Sequence, residues 1–536
     1  MADVSTIGVE QSAPVGSWAW WAGVPGNRPL IMLLLALFFI TMVIIPPPQS
    51  MVNLMTEEKP LGASLESGTT TYVDSYNKLM KSELTPVEVA QKAKVTVALL
   101  FTVALLWGTE AIPLGATDFL VAVILYLFSL LPINKISQAY FKDAVFFIGG
   151  VLCVAAGVSL TGLDRRIGYL LLGKIKGAKG FCFLFFPLLA VVAGFFSEHA
   201  LVALLCPILL LVYVNGCKKA GVKADPALAA LLFLGICFAA NVGGSGSPAV
   251  GGRSAIMVGY FSGYGVPISF GQWMMYGLPV VPVLAIAMGA YMYFTAGRRT
   301  QANVEIAKVM KENVENIGPL KGKELRMAVL FAALVVLWVG FSDRFGLGGT
   351  TIIIVVAMLL SRVVTWQDLQ RRVAMDVVLL YAAACAMGVA LKSTGGALWL
   401  AREFLGILPE SWSHGSLILL AVSLFTVIIT NFMSDGATVG AIGPVVLPMA
   451  KIGGIHLWKV GLACSFSSSY AHAMIVGTVN NAIAYGMARD PETGEHLLSV
   501  FDFIKYGIPA IIISILILWG VACFGYWNFL PWPGVK

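Results

Sequence analysis

Three polar residues interrupt an apolar run that is long enough to enter a membrane. Ser197, Glu198 and His199 stand in the middle of VAGFFSEHALVALLCPILL, which runs from Val192 to Leu210. Serine is a preferred N-cap residue, so we expect two half-helices broken near Ser197, with the acid and the imidazole in the first turn of the second. The free N–H groups at such a helix start suit an anion at membrane mid-depth.

A second run repeats this arrangement 237 positions later. SDGATVGAIGP begins at Ser434 and reaches a proline after the same number of residues as SEHALVALLCP, which begins at Ser197. Asp435 takes the place of Glu198, and Gly436 takes the place of the imidazole. Two such helix starts that face each other would form a small anion pocket.

The repeat extends to both sides of these runs. Upstream, KDAVFFIGG resembles MDVVLLYAA, with Asp143 and Asp376 lying 233 positions apart. Downstream, GGRSAIMVGY resembles VNNAIAYG, with Ala255 and Ala482 lying 227 positions apart. Three blocks in one order indicate two homologous halves. Internal repeats with paired interrupted segments are typical of secondary transporters, with the site at the repeat interface.

Each half also contains a polar segment that cannot form a plain helix. Residues 241–255 hold five glycines, three serines and a proline, and residues 467–482 hold Thr478, Asn480 and Asn481. Irregular backbone at membrane depth is tolerated only where it is buried in protein or lines a cavity. Carbonyl, hydroxyl and amide oxygens in such a segment are ligands of the kind that sodium needs.

The composition predicts an all-α polytopic membrane protein. Of the 536 residues, 58% are hydrophobic and 12% are charged, against about 25% charged in soluble domains. Spans of roughly 20 apolar residues recur often enough for about eleven transmembrane helices, and the runs are too long for a β-barrel. The net charge of +7 indicates membrane orientation rather than nucleic-acid binding. The eight cysteines are expected to be buried packing residues.

The chain divides into four predicted segments. Residues 1–91 hold an N-terminal transmembrane helix and a polar loop, 92–297 the first repeat, 298–325 a cytoplasmic linker, and 326–536 the second repeat. The first apolar run follows Arg28 and lacks the pattern of a cleaved signal peptide, so we expect it to be retained. Basic loops on one side and the balanced loop from Met51 to Lys92 on the other predict a cytoplasmic N-terminus.

These motifs resemble the divalent anion/sodium symporter family, which includes carriers for dicarboxylates, citrate and sulfate. The resemblance covers residues 92–527. It rests on the serine-led helix starts and on two segments similar to the family's Thr-Pro-Pro-Asn motifs, residues 251–254 and 478–481. It implies a homodimer of inverted repeats with re-entrant hairpins, in which a transport domain moves by an elevator mechanism within the cytoplasmic membrane.

The resemblance also implies a set of site residues. The matching substrate-binding positions are Ser197, Glu198, His199, Arg253, Ser254, Ser434, Asp435, Gly436, Thr478, Asn480 and Asn481. The matching sodium-ligand positions are Ser197, Glu198, Gly244, Asn431, Ser434 and Asp435. Sodium is the coupling ion that the family implies, and no enzymatic cofactor is expected.

The chain departs from the family motifs at charged positions. Both asparagines of the family's Ser-Asn-Thr motifs are acids here, Glu198 and Asp435, and Arg253 stands at an apolar position. Three accounts fit the acids: they ligate sodium, they exchange protons, or they only compensate the helix dipoles and the charge of Arg253. Arg253 has two interpretations, a bidentate anion ligand and an internal salt bridge. His472 is a further site candidate.

The sequence therefore predicts a secondary active transporter for a small organic anion, either a carboxylate, a dicarboxylate or a sulfonate, coupled to sodium. The two added acids favour a smaller or singly charged anion. A proton-coupled or exchange-type carrier is the alternative, and a membrane enzyme or a channel is a further one. Ser197 with His199 does not make a hydrolase pair, because residues two apart on a helix face different ways.

Overall fold

A computed structural model describes residues 17–57, 71–172, 175–301 and 318–532, and every regular element in these ranges is a helix. The prediction of an all-α polytopic membrane protein is confirmed. The N-terminal part contains α1 (Trp18–Ala22), α2 (Pro29–Ile44), α3 (Gln49–Thr56), α4 (Tyr72–Met80), α5 (Pro86–Thr109), α6 (Leu114–Leu127) and α7 (Ile133–Tyr140).

The two halves contain the same elements in the same order. Each has a long helix, a short helix, a hairpin with a broken tip, a broken helix and a closing long helix. The first half contains α8 (Asp143–Thr161), α9 (Leu163–Leu172), α10 (Gly177–Ala193), α11 (Glu198–Ala220), α12 (Pro226–Gly243), α13 (Gly252–Gly263) and α14 (Phe270–Gly297).

Two helices connect the halves, and the second half follows them. The connecting helices are α15 (Gly322–Leu360) and α16 (Trp366–Arg372). The second half contains α17 (Met375–Thr394), α18 (Gly396–Ile407), α19 (Gly415–Thr430), α20 (Asp435–Ile452), α21 (Leu457–Ser468), α22 (Val479–Met487) and α23 (Val500–Asn528). Short 3₁₀ turns lie at Glu410–Trp412 and Ile475–Gly477.

Helix α15 folds back on itself at Gly346, whose φ of 73° and ψ of 167° are not helical. Trp338 Nε1 donates a hydrogen bond to Thr351 Oγ1 at 2.9 Å, and Arg326 donates to the carbonyl of Ser361, 35 residues along the chain. A straight helix would place residues that far apart at about 50 Å. Residues 322–345 and 347–360 are therefore two antiparallel helices joined by a turn.

The expected count of about eleven spans is not confirmed. Eight helices in the described residues are long and apolar enough to cross a membrane, and the bent pair of α2 and α3 would make a ninth. The two antiparallel parts of α15 count once among these. The hairpin helices α10 and α19 have no more than 17 residues, so half-crossings explain why apolar runs outnumber full spans.

Two predicted segments, the polar N-terminal loop and the linker, overlap helices in the structure. The segment from Met51 to Lys92, predicted as a polar loop, contains most of α3, all of α4 and the start of α5, where Thr85 forms a capping box with Glu88. That prediction is wrong for these residues, because capped helices form there despite their polar composition. Residues 58–70 lie outside the described residues. So do residues 302–317 of the predicted linker, whose end overlaps α15.

Apolar side chains cover the outside of the helices as well as the core. Residues Val329, Val336, Val339 and Ile353 of α15 are exposed, as a lipid-facing helix requires. All eight cysteines are free, and seven of them are buried. The prediction that they are packing residues is confirmed for those seven, while Cys153 is half-buried.

Candidate functional site

The tip of the first hairpin breaks where the sequence predicts. Hairpin 1 consists of α10, residues 194–197 and α11. Ser197 is the N-cap of α11, and its Oγ accepts a hydrogen bond from the backbone N–H of Ala200 at 3.4 Å. Glu198 and His199 follow in the first turn, beside the free N–H groups of the helix start.

The tip of the second hairpin has the same construction. Hairpin 2 consists of α19, residues 431–434 and α20. Ser434 is the N-cap of α20, and its Oγ accepts from the N–H of Ala437 at 3.4 Å. The carboxylate of Asp435 accepts from the N–H of Gly436 at 2.6 Å. Both predicted breaks are thus present, one in each half of the chain.

The polar segments of the two halves are unwound and contact the hairpin tips. Between α12 and α13, the Ser247 hydroxyl donates to the carbonyl of Gly194 at the tip of hairpin 1, at 2.6 Å. Between α21 and α22, the N–H of Ala473 donates to the side-chain oxygen of Asn431 at the tip of hairpin 2, at 3.0 Å. Each hairpin is therefore held against the broken helix of its own half.

Arg253 joins the two hairpins. It lies in the first turn of α13, and its guanidinium binds Glu198 through two contacts, Nη1 to Oε1 at 2.9 Å and Nη2 to Oε2 at 3.3 Å. Nη1 also donates to Oδ2 of Asp435. Arg253 and Glu198 are each 1% exposed, and Asp435 is 16% exposed. We name these three residues the charged cluster. It links helix starts from both halves.

Two glycines leave room for the guanidinium of Arg253. A Cβ atom added at Gly244 would overlap the guanidinium of Arg253, and one added at Gly251 would lie 3.3 Å from Nη1. Neither glycine lies in the left-handed region, so the requirement is close approach rather than backbone conformation. The guanidinium therefore fills the space between hairpin 1 and the unwound segment.

A second group of side chains forms a hydrogen-bonded chain, which we name the neutral cluster. His199 Nδ1 lies 2.8 Å from Asn480 Oδ1, Asn480 Nδ2 donates to Asn241 Oδ1 at 2.7 Å, and Asn241 Nδ2 lies 3.3 Å from His472 Nδ1. His472 Nε2 lies 3.3 Å from Ser514 Oγ. With these amide orientations, Nδ1 of His199 donates to Asn480 and Nδ1 of His472 accepts from Asn241.

The two clusters occupy equivalent places in the repeat. The offset of 227 positions that relates Ala255 to Ala482 also relates Arg253 to Asn480. The offset of 237 positions that relates Ser197 to Ser434 also relates His199 to Gly436. Equivalent helix starts therefore present an arginine in one half and an amide in the other, and an imidazole in one half and a glycine in the other.

A comparison with known protein families decides the classification. A family model described as the sodium:sulfate symporter transmembrane region matches residues 84–532. The chain belongs to this family. The match confirms the resemblance inferred from the sequence, and it identifies the chain as a multi-pass membrane transporter rather than an enzyme.

Individual members of the sodium:sulfate symporter family show how far this chain has diverged. The sodium-dependent dicarboxylate transporter SdcS of Staphylococcus saprophyticus is 23% identical over 432 residues, which cover 75% of this chain and 82% of that protein. The sodium-dependent high-affinity dicarboxylate transporter 3 of Caenorhabditis elegans is 25% identical over 442 residues, with 72% and 76% covered.

The helical arrangement is also found among solved transporter structures. MtrF of Neisseria gonorrhoeae, described as a member of a class of antimetabolite efflux pumps, aligns with a TM-score of 0.55. The alignment covers 96% of this chain and 99% of that chain, at 15% sequence identity. At this identity the likeness shows the fold alone.

Several predicted site residues of this symporter-family chain have structural contacts. Thr478 caps α22 and accepts from the N–H of Asn480 at 3.4 Å. Asn481 donates to the carbonyls of Ala471 and Met474 at 2.7 and 2.9 Å, which holds the unwound segment. Asn431 also donates to the carbonyl of Val427 at 2.7 Å. The described residues contain no group of three or more His, Cys, Asp or Glu side chains that would hold a metal ion.

Three residues of the site were not among those predicted from the sequence. Tyr381 of α17 is buried and packs between the starts of α13 and α20, since a Cβ at Gly252 would overlap its ring and one at Gly436 would lie 3.4 Å from it. The repeat offset of 233 positions pairs Tyr381 with Ile148, so a polar residue in one half alone was the available signal. Asn241 and Ser514 complete the neutral cluster and carried no comparable signal.

Proposed function

We propose that the chain is a secondary active transporter that carries a small organic anion across the cytoplasmic membrane, coupled to sodium, by elevator-type alternating access. The observation that carries this proposal is the charged cluster, in which helix starts from both halves converge on one buried arginine. Half-helix N-termini at membrane depth are suited to anionic groups because their N–H groups and dipoles are free.

The charges of the site favour a small, singly charged anion over a dianion. Glu198 and Asp435 together outweigh the charge of Arg253, and both already face the helix starts that an anion would use. A carboxylate or sulfonate fits the fork of Arg253 in place of one of the acids. A second negative charge on the solute would have to approach the remaining acid, which is unfavourable. A dicarboxylate is therefore the less favoured of the substrate classes.

Sodium coupling is supported by two relatives, which are named as sodium-dependent dicarboxylate transporters. It is also supported by the oxygen-rich tips, where Ser197, Ser434 and Asn431 lie beside unwound backbone. A proton-coupled or exchange-type carrier is the alternative, because Glu198 and Asp435 stand where the family has neutral amides.

Alternating access between the two halves is supported by how equivalent helices pair. Helix α11 of the first half packs on α22 of the second, and α20 of the second half packs on α13 of the first. This crossed pairing is expected of inverted repeats related by a pseudo-two-fold axis. We propose that the hairpins belong to a moving domain and α15 to a scaffold. The two parts meet where the ring of Phe331 in α15 stacks on that of Phe196 at the tip of hairpin 1, with ring centroids 4.4 Å apart. A homodimer with cytoplasmic N-termini completes this proposal.

Thermal-shift screening tests the proposed substrate class. The purified carrier would be heated with monocarboxylates, dicarboxylates, sulfonates or sulfate, each with and without sodium. We expect a monovalent organic anion to raise the melting temperature most, and sodium to increase that rise, because a ligand stabilises the state that binds it. A shift that is equal for potassium and sodium salts would contradict sodium coupling.

Uptake into proteoliposomes then tests the class of protein. A carrier shows saturable uptake and accelerates exchange when the same solute is present on both sides. A channel shows neither property, and an enzyme consumes the solute without moving it. We expect saturation and counterflow for the anion that the thermal screen selects.

A further inference from the structure

The charged cluster carries one uncompensated negative charge. By formal charge, Glu198 and Asp435 contribute two negative charges, and Arg253 contributes one positive charge. Among the residues that the structure describes, no second cation forms an ion pair with either acid. Buried charges in proteins are almost always paired, and in membranes an unpaired one is expensive. The cluster therefore requires one further monovalent cation.

Arg253 already occupies a cation position. Its guanidinium contacts Glu198 through both terminal nitrogens and lies against Gly244. These are two of the residues that the motifs predict as sodium ligands. The arginine is covalently attached and 1% exposed, so it cannot leave the site as a mobile ion does.

The remaining place for a cation is beside Asp435. This acid is the more exposed of the two, at 16%, and it shares only one oxygen with Arg253. Two buried hydroxyls at the adjoining starts of α13 and α20 have no hydrogen-bond partner, those of Ser254, adjacent to Arg253, and Thr438, three residues after Asp435. Residues three apart lie on one helix face. Hydroxyl and carboxylate oxygens are suitable ligands for a hard cation such as sodium.

We propose that Arg253 is a tethered cation that replaces one sodium ion. The site then binds one mobile sodium ion, at Asp435. Without the arginine, the two acids would bind two sodium ions. This proposal rests on the proposed sodium-coupled function and specifies its stoichiometry. With a singly charged anion as the solute, one sodium per anion makes the transport cycle electroneutral.

Sodium counting on charge variants tests this proposal. Equilibrium dialysis with ²²Na⁺ would count the ions bound by the purified full-length carrier in detergent. We expect one ion for the wild type, two for Arg253→Gln, none for Glu198→Gln, and one again for the double variant Glu198→Gln/Arg253→Gln. The double variant is the matched control, because it removes the ion pair but keeps the charge of the cluster.

Other outcomes overturn the proposal. A wild type that binds two ions, or none, contradicts it, and so does a double variant that differs from the wild type. If Arg253→Gln does not fold, the wild type, Glu198→Gln and the double variant still give the sequence one, none, one. The count needs no solute, so it separates the two proposals. If the carrier takes up an anion but the variants do not bind the expected numbers of sodium ions, the tethered cation alone is refuted. If the variants bind the expected numbers but no tested anion is taken up, the transport proposal is refuted.

Discussion

The charged and neutral clusters are built on equivalent backbone but hold their helices together by different forces. In the charged cluster, Arg253 ties α11 to α20 through ion pairs. In the neutral cluster, Asn480, at the position equivalent to Arg253, ties α11 to the end of α12 through amide and imidazole hydrogen bonds. The comparison shows that the repeat preserves where helices start and leaves the chemistry of each start free to differ.

This difference predicts how each cluster responds to the loss of one side chain. Removing one partner of a buried ion pair leaves an uncompensated charge, at a cost of about 3–5 kcal/mol. Removing one partner of a neutral buried hydrogen bond costs about 1–3 kcal/mol. The two clusters should therefore differ in sensitivity although their backbones are alike.

The largest expected effect is that of Arg253→Ala on stability. The variant would leave the buried Glu198 and the half-buried Asp435 beside each other without a cation, so we expect a loss of about 3–5 kcal/mol. Thermal melting of the purified carrier measures it. Arg402→Ala is the control, because Arg402 pairs with Glu57 at 2.7 Å where both are over 40% exposed, and such pairs contribute about 0–1 kcal/mol. Equal melting temperatures for the two variants would contradict the charged cluster.

Asn480→Ala is expected to have the next largest effect, and it probes the neutral cluster. It removes hydrogen bonds to the half-buried His199 and the buried Asn241, so two groups lose their partner, at a cost of about 2–3 kcal/mol. The same melting assay applies, with the exposed Asn528 as the control, where alanine should change stability by less than about 0.5 kcal/mol. A loss as large as that of Arg253→Ala would remove the distinction between the clusters.

A pair of glycine variants tests the packing around Arg253 by shape alone. At Gly244 a Cβ atom would overlap the guanidinium, so Gly244→Ala should displace Arg253 and cost about 1–3 kcal/mol. At Gly436 a Cβ atom would meet Tyr381 at an ordinary contact of 3.4 Å, so Gly436→Ala should change stability by less than about 0.5 kcal/mol. Melting temperatures in the reverse order would show that the guanidinium does not lie against Gly244.

The smallest expected effect is one that the two hairpin tips share. Ser197 and Ser434 each accept one capping hydrogen bond at 3.4 Å, so each serine-to-alanine change should cost about 1 kcal/mol. The two costs should agree closely, because the caps are built alike. Unequal costs would show that the likeness of the two helix starts does not extend to their energetics.

The features that the sequence predicts well are those carried by local chemistry. Serine caps, glycine-rich segments and the recurring order of three blocks locate both hairpin tips and both unwound segments, because caps and breaks depend on a few neighbouring residues. The possible salt bridge of Arg253 also follows from its position among two acids. Both interpretations of Arg253 remained open because nothing in the sequence gives the distance between Glu198 and Asp435.

The features that were missed depend on long-range packing. The turn at Gly346 lies in SDRFGLGGT, where a charged pair and three glycines interrupt the apolar run. Contacts such as Trp338 with Thr351 show that the two helices on either side of it are antiparallel. Tyr381 lies within the repeated block MDVVLLYAA, but its approach to the starts of α13 and α20 depends on packing between helices. Ser514 lies 42 residues from His472. The helices in the polar N-terminal segment were missed because its composition was given more weight than its capping boxes.

Anion uptake by proteoliposomes containing Arg253→Lys tests most directly whether the arginine that joins both hairpins is part of the transport site. Lysine keeps the positive charge but loses the bidentate fork, which separates recognition from charge compensation. With the anion selected by the thermal screen, we expect uptake to fall at least about tenfold, the equivalent of about 1.4 kcal/mol, while Arg402→Lys takes up the anion like the wild type. Unchanged uptake and apparent affinity in Arg253→Lys would contradict the account.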